Sequence, residues 1–171
     1  MRHWTLSIAT LALVSLTTAS PAQEYQAGSI KISGVWTRLA PKGAAAAGGF
    51  MTITNTGKEA DTLIGGSVEI AKHFEVHEMK VVDGVMKMRA LDPGLVIKPG
   101  ETVTLMPGSY HTMFIGLTGT PNVGGTVKGT LVFAKAGKVE IAYKVAPIGA
   151  RGPGGGSGSG AGSGSGTGKG H

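Results

Sequence analysis

Three pairs of soft-metal donors stand out in the chain: His77 with Met79, Met86 with Met88, and His111 with Met113, the members of each pair separated by one residue. In an extended strand, residues i and i+2 project from one face, roughly 6.5–7 Å apart along the chain. Each pair can therefore aim both donors at one point. Imidazole suits copper, zinc, iron and nickel, whereas uncharged thioether sulfur is soft and favours Cu(I) over hard ions. A single pair is a weak signal, since Met is a common core filler and most histidines are satisfied surface or core residues. Three pairs within residues 77–113 point to copper before zinc.

Composition narrows the chemistry further. The chain has no cysteine, which excludes disulfide staples, zinc-finger and thioredoxin-type sites, and a blue-copper centre built from two His and one Cys. Stability must come from a hydrophobic core, and about 125 residues can supply one as a single domain. The formal charge is +6, and +5 once residues 1–22, which carry Arg2 and no acid, are set aside. No dense Lys/Arg cluster and few aromatic residues accompany it, so the excess reads as solubility and not as a nucleic-acid footprint.

Residues 1–22 have the layout of an export signal: Arg2 and His3 at the start, a mostly apolar run from Leu6 to Leu16, and small residues at Ser20-Pro21-Ala22. The apolar run is too short to span a bilayer, and no later stretch reaches about 18 consecutive apolar residues, so an exported protein without stable membrane insertion is expected. Residues 149–171 form a Gly/Ser-rich segment ending in His171, whose composition predicts a flexible tail. Its Gly168-Lys169 pair is no phosphate-binding loop, because Ser163 and Gly170 stand where that motif needs Gly and Ser/Thr. The domain proper is residues 23–148.

Within it, short segments rich in Val, Ile, Thr and aromatics alternate with turn residues. Strands are predicted over 29–39, 49–54, 62–68, 73–82, 85–91, 102–106, 111–117, 125–134 and 138–145. Punctuation falls at Asn55-Thr56-Gly57, Asp92-Pro93-Gly94, Lys98-Pro99-Gly100, Met106-Pro107-Gly108 and, most sharply, Asp83-Gly84. A two-residue hairpin needs positive φ, which Asp and Gly tolerate. Pairing across it sets Val82 opposite Val85, Val81 opposite Met86 and Met79 opposite Met88. Gly48 and Gly49 should end any turn begun at Ala44, leaving a loop into the strand at Phe50. The pattern predicts an all-β antiparallel Greek-key sandwich or barrel.

His77-Glu78-Met79, Gly84-Val85-Met86-Lys87-Met88-Arg89 and Pro107-Gly108-Ser109-Tyr110-His111-Thr112-Met113 resemble the signature of the PCu(A)C family of periplasmic copper chaperones. The similarity extends over nearly all of residues 30–145. It implies a cupredoxin-like sandwich binding Cu(I), with ligands at His77, Met88, His111 and Met113. It also implies delivery to cytochrome c oxidase assembly, with the Cu(A) centre of subunit II and Sco-type copper proteins as partners. Met79 and Met86 are candidate auxiliary ligands or a hydrophobic rim. The expectation is a periplasmic, monomeric carrier and not an enzyme. No nucleophile–base pair or His-Glu-x-x-His motif is present.

Other residues receive plainer assignments: Met51 and Met106 to the core, Trp36 to the core or an edge, His73, Glu78 and Asp83 to the solvent side. A secreted β-sandwich module that binds a protein partner without a metal role is the alternative reading.

Overall fold

The alternation of apolar and polar residues places one face of most strands inward, and the architecture follows from it. A computed structural model describes residues 23–154. The expected signal segment and residues 155–171, with the terminal His171, lie outside the described residues. Eleven strands follow in order: β1 (Glu24–Ala27), β2 (Ile30–Arg38), β3 (Ala46–Asn55), β4 (Asp61–Val68), β5 (Ala71–Val82), β6 (Val85–Ala90), β7 (Leu95–Ile97), β8 (Thr102–Leu105), β9 (His111–Leu117), β10 (Thr126–Phe133) and β11 (Gly137–Ala146). Nine lie where the sequence predicts them. β1 and β7 do not, because one precedes the region where turn signals begin and the other has only three residues between two Pro-Gly turns.

Neighbouring strands run in the order β6-β5-β9-β3-β2-β11-β10-β4-β7, with β1 beside β2 and β8 beside β3. The sheet folds over into a sandwich, and the terminal strands β6 and β7 do not meet, so it is open and not a barrel. The expected antiparallel pairing holds for every strand pair but one: β11 pairs with β2 in parallel. The direction of β11 is set by its hairpin with β10, itself antiparallel to β4, and that direction is the one β2 takes. Between the layers Ile30, Ile32, Met51, Ile53, Phe114 and Tyr143 are buried almost completely.

A bulge in β2 prepares the outer face. Register shifts between Ser33 and Trp36, where Gly34 takes φ 59°; the extra residue reverses which side chains point inward. Ile30 and Ile32 face the core before it, Val35 and Thr37 after it. Trp36 is thereby turned to the opposite face, opposite Phe50, where Ala146 and Ala150 complete a small second cluster. Gly149 and Ala150, assigned to the tail from composition, thus begin with a residue packed into the fold.

Gly48 and Gly49 do not end a loop; they lie inside β3, which starts at Ala46 and pairs with β9. A Cβ on Gly49 would collide with Phe114 and Thr112 and stand 2.8 Å from Tyr143. Glycine here permits close approach of strand and core, a role that outweighs its low strand propensity. Gly49→Ala should destabilise the domain by about 3 kcal/mol, near the top of the usual overpacking cost. Gly65→Ala, with nothing within 4 Å of the added carbon, should change stability by less than about 1 kcal/mol and in the stabilising direction. Urea unfolding of the two variants checks the contrast.

Candidate metal centre

The β5–β6 hairpin turns at Asp83 and Gly84, with φ 54° and 75°. Its register is the one the turn length predicts: Val82 opposite Val85, Val81 opposite Met86, Met79 opposite Met88, and His77 opposite Ala90. On its other side β5 meets β9, where His77 stands opposite His111 and Glu75 opposite Met113. Residues opposed across a ladder share a face. His77, Met79, Met86, Met88, His111 and Met113 therefore all project from one side of the sheet, while Val76, Thr112 and Phe114 point into the core.

His77 is the centre of this arrangement. His111 is directly opposite, with ring centroids 5.7 Å apart. Met88 on β6 and Met113 on β9 are its diagonal neighbours, about 7–8 Å away at the backbone and within reach of a long side chain. Met79 stands beside Met88. Met86 lies one step further towards the hairpin tip, beyond the reach of a first neighbour.

Both imidazoles are withdrawn from water although they lie on the outer face: His77 is 8% and His111 5% exposed. Continuing the β3–β9 register by one step brings Phe50 beside His111, and Phe50 is backed by Trp36 at 4.6 Å. Each ring has one nitrogen committed. His77 Nε2 lies 2.7 Å from Glu75 Oε2, and since a carboxylate only accepts, Nε2–H donates. His111 Nδ1 lies 3.0 Å from the Ser109 carbonyl, so Nδ1–H donates there. The remaining nitrogens, His77 Nδ1 and His111 Nε2, keep their lone pairs when the rings are neutral. Among the described residues His77 Nδ1 is a buried polar atom with no hydrogen-bond partner.

The loop before β9 fixes this geometry. Ser109 N–H donates to the Met106 carbonyl at 3.1 Å across Pro107-Gly108, with Gly108 at φ 87°; Pro followed by a positive-φ Gly suits a type II turn. The Ser109 carbonyl then accepts from the Met79 N–H at 3.2 Å as well as from His111. One turn thus anchors both strands that carry the histidines.

Burial holds His111 below the ordinary imidazole range; the Ser109 carbonyl opposes this, and the neighbouring His77 and Arg38 add to it. Arg38 is fixed over Phe50, 5.4 Å from the ring centre. A neutral His111 keeps its free lone pair at physiological pH. Among the described residues no group of three or more His, Cys, Asp and Glu could hold a metal. Thioether sulfur must therefore complete any donor set here, which favours a soft ion.

The plainer assignments hold in part. Met51 and Trp36 are buried and His73 is exposed, as expected. Met106 is not core: it is 47% exposed, because β8 ends at Leu105 and Met106 enters the turn. Glu78 does not face solvent freely either; Arg89 and Tyr110 both donate to it, and the Arg89 hydrogen bond holds its carboxyl below the usual range. Residue types and spacing missed Glu75, Ser109 and the Phe50 wall. The i, i+2 rule that joins His77 to Met79 reaches back equally to Glu75.

Comparison with known proteins bears on the family and the fold. A protein-family model described as "Putative lipoprotein LpqE-like" matches residues 30–145. "Putative lipoprotein Lxx21020" from Leifsonia xyli subsp. xyli (strain CTCB07) is 28% identical over 149 residues, 85% of this chain and 89% of that protein. The structure of the copper-bound PCuAC domain from PmoF2 superposes with a TM-score of 0.62 at 28% identity, covering 72% of this chain and 97% of that one. The solution structure of Cu(I)-DR1885 from Deinococcus radiodurans shares the fold, with a TM-score of 0.54 at 24% identity over 75% of this chain and 80% of that one. The chain is a structural homologue of PCuAC domains, with their cupredoxin-like architecture.

In the copper-free protein, His111 should titrate below 6.5, its ordinary value. The unfolded chain then binds this proton before the folded one does. The stability His111 contributes is whole above about pH 6.5 and is lost as pH falls through the lower folded value. Imidazole chemical shifts followed by NMR between pH 4 and 8 check the sign; a midpoint at or above 6.5 contradicts it.

Proposed function

The chain belongs to the LpqE-like family, and from that premise we propose that it is an exported copper carrier that binds Cu(I) through His77, Met88, His111 and Met113 and surrenders it to another copper protein. The observation that carries this reading is the pair of buried imidazoles side by side on β5 and β9, each with one nitrogen committed and one free, flanked by thioethers on both strands. A buried lone pair without a partner, such as that on His77 Nδ1, is costly unless something occupies it. Two nitrogens and two sulfurs, all neutral, suit Cu(I) and offer little to Cu(II), which prefers tetragonal N/O surroundings.

The arrangement also suits release. His77 and His111 sit at the inner end of the site, whereas Met88 lies on the outermost strand and is 51% exposed. An acceptor can displace Met88 first and draw Cu(I) out by successive ligand exchange, since thiolates bind the ion more strongly than thioethers. Met79 beside Met88 is placed to follow the ion as an auxiliary ligand. Met86, 58% exposed near the tip, forms a rim. This is carriage, with no bond of a substrate made or broken, and it matches the copper-bound PCuAC domain named above.

The acceptor is proposed from the sequence signature as the Cu(A) centre of cytochrome c oxidase subunit II, with Sco-type proteins as co-workers. The location is the periplasm, with residues 1–22 as the export signal. Relatives described as lipoproteins support an exported protein; within these 171 residues there is no cysteine thiol to carry a lipid. A monomer fits the edge strand β6, whose Lys87 and Arg89 discourage pairing with a second copy.

Competition titration with Cu(I) under reducing conditions tests the site. The wild type should bind about one equivalent, and His77→Ala, Met88→Ala, His111→Ala and Met113→Ala should each lose at least about tenfold in affinity. Met86→Ala should stay within about twofold, as expected of an exposed rim residue. Unchanged affinity in all four ligand variants would end the copper reading.

A further inference from the structure

Glu75 touches the proposed site without belonging to the donor set. Its carboxylate lies 2.7 Å from His77 Nε2, and its side chain is 44% exposed. It stands opposite Met113 in the ladder and two residues before His77, so all three share the outer face. We propose that Glu75 is a positioning residue: it holds His77 as the Nε2–H tautomer and thereby selects Nδ1 as the nitrogen offered to Cu(I). This rests on the copper reading above.

The geometry leaves one assignment. A carboxylate one strand step away reaches the edge of the imidazole remote from Cβ, where Nε2 lies, and accepts its proton in a hydrogen bond. The lone pair of the neutral ring is then on Nδ1, the buried atom that has no partner among the described residues. The Glu75 carboxylate is committed to His77, and among the described residues no group of three or more His, Cys, Asp and Glu could hold a metal. A carboxylate behind a ligating imidazole fixes its orientation and raises its basicity. It also sets a negative charge near the positive charge that neutral ligands leave on Cu(I). His111 has only the neutral Ser109 carbonyl behind it.

The test compares the full-length wild type, Glu75→Gln, Glu75→Ala and His77→Ala. Nitrogen-15 NMR of the copper-free proteins reads the His77 tautomer, and competition titration reads Cu(I) affinity. The wild type should show His77 as Nε2–H. Glu75→Gln should keep that tautomer, because its amide oxygen accepts the same hydrogen bond, and lose only severalfold in affinity with the charge. Glu75→Ala should give a tautomer mixture and a loss of about 10–100-fold. A merely structural role would not separate Gln from Ala in the tautomer signal.

An Nδ1–H tautomer in the wild type overturns the proposal. So does a Glu75→Ala variant with wild-type tautomer and affinity while His77→Ala loses copper, or an oxygen ligand seen by X-ray absorption that Glu75→Gln abolishes. If His77→Ala itself binds Cu(I) normally, it is His77's place in the proposed donor set that fails, and the tautomer signals still judge the Glu75–His77 contact alone.

Discussion

Two imidazoles held out of water on the outer face of a sheet are the feature around which this domain is built. Burying a polar ring is costly unless its N–H finds an acceptor. Here each ring has one, a carboxylate for His77 and a turn carbonyl for His111. These two bonds leave one nitrogen of each ring bare and decide which one it is. Without them the rings could rotate, change tautomer or swing into solvent, and the thioethers alongside would have nothing to complete.

Holding the rings there requires a wall on the outer face, and the wall comes from a change of phase in β2. The bulge at Gly34 turns Trp36 outward to meet Phe50, and the second small cluster that results shields the β9 side of the site. Gly49 lets β3 approach the core closely enough to carry Phe50 at that position. The main core and the site therefore depend on the same strands, β3, β5 and β9, seen from opposite faces. On the far side no strand among the described residues covers β6, and the gradient from buried histidines to exposed methionines runs across only three strands.

Charge is arranged around the proposed neutral donor set. Arg38 over Phe50 helps keep His111 unprotonated, and Glu75 lies on the His77 side. On the reverse of the hairpin Arg89 and Tyr110 converge on Glu78, tying β6, β5 and the loop before β9 together where no donor is needed. Alternation keeps the two systems apart: Glu75, His77 and Met79 face one way, Glu78 the other.

Much of this was legible in the chain before any coordinates. Turn residues and β-branched runs set nine of the strands, and Asp83-Gly84 alone determined the register that puts Met88 beside Met79, because a two-residue turn admits only one pairing. The spacing of His77, Met79, His111 and Met113 determined that each pair shares a face, a consequence of the two-residue period of a strand. What lay beyond it depends on contacts between segments distant in sequence. Only the fold decided that β5 and β9 are neighbours, that His77 meets His111, that Gly48 and Gly49 sit within a strand, and that Met106 is exposed. Local pattern says which way a side chain points along its own strand; which strand comes to lie beside it is settled by the packing of the whole sheet.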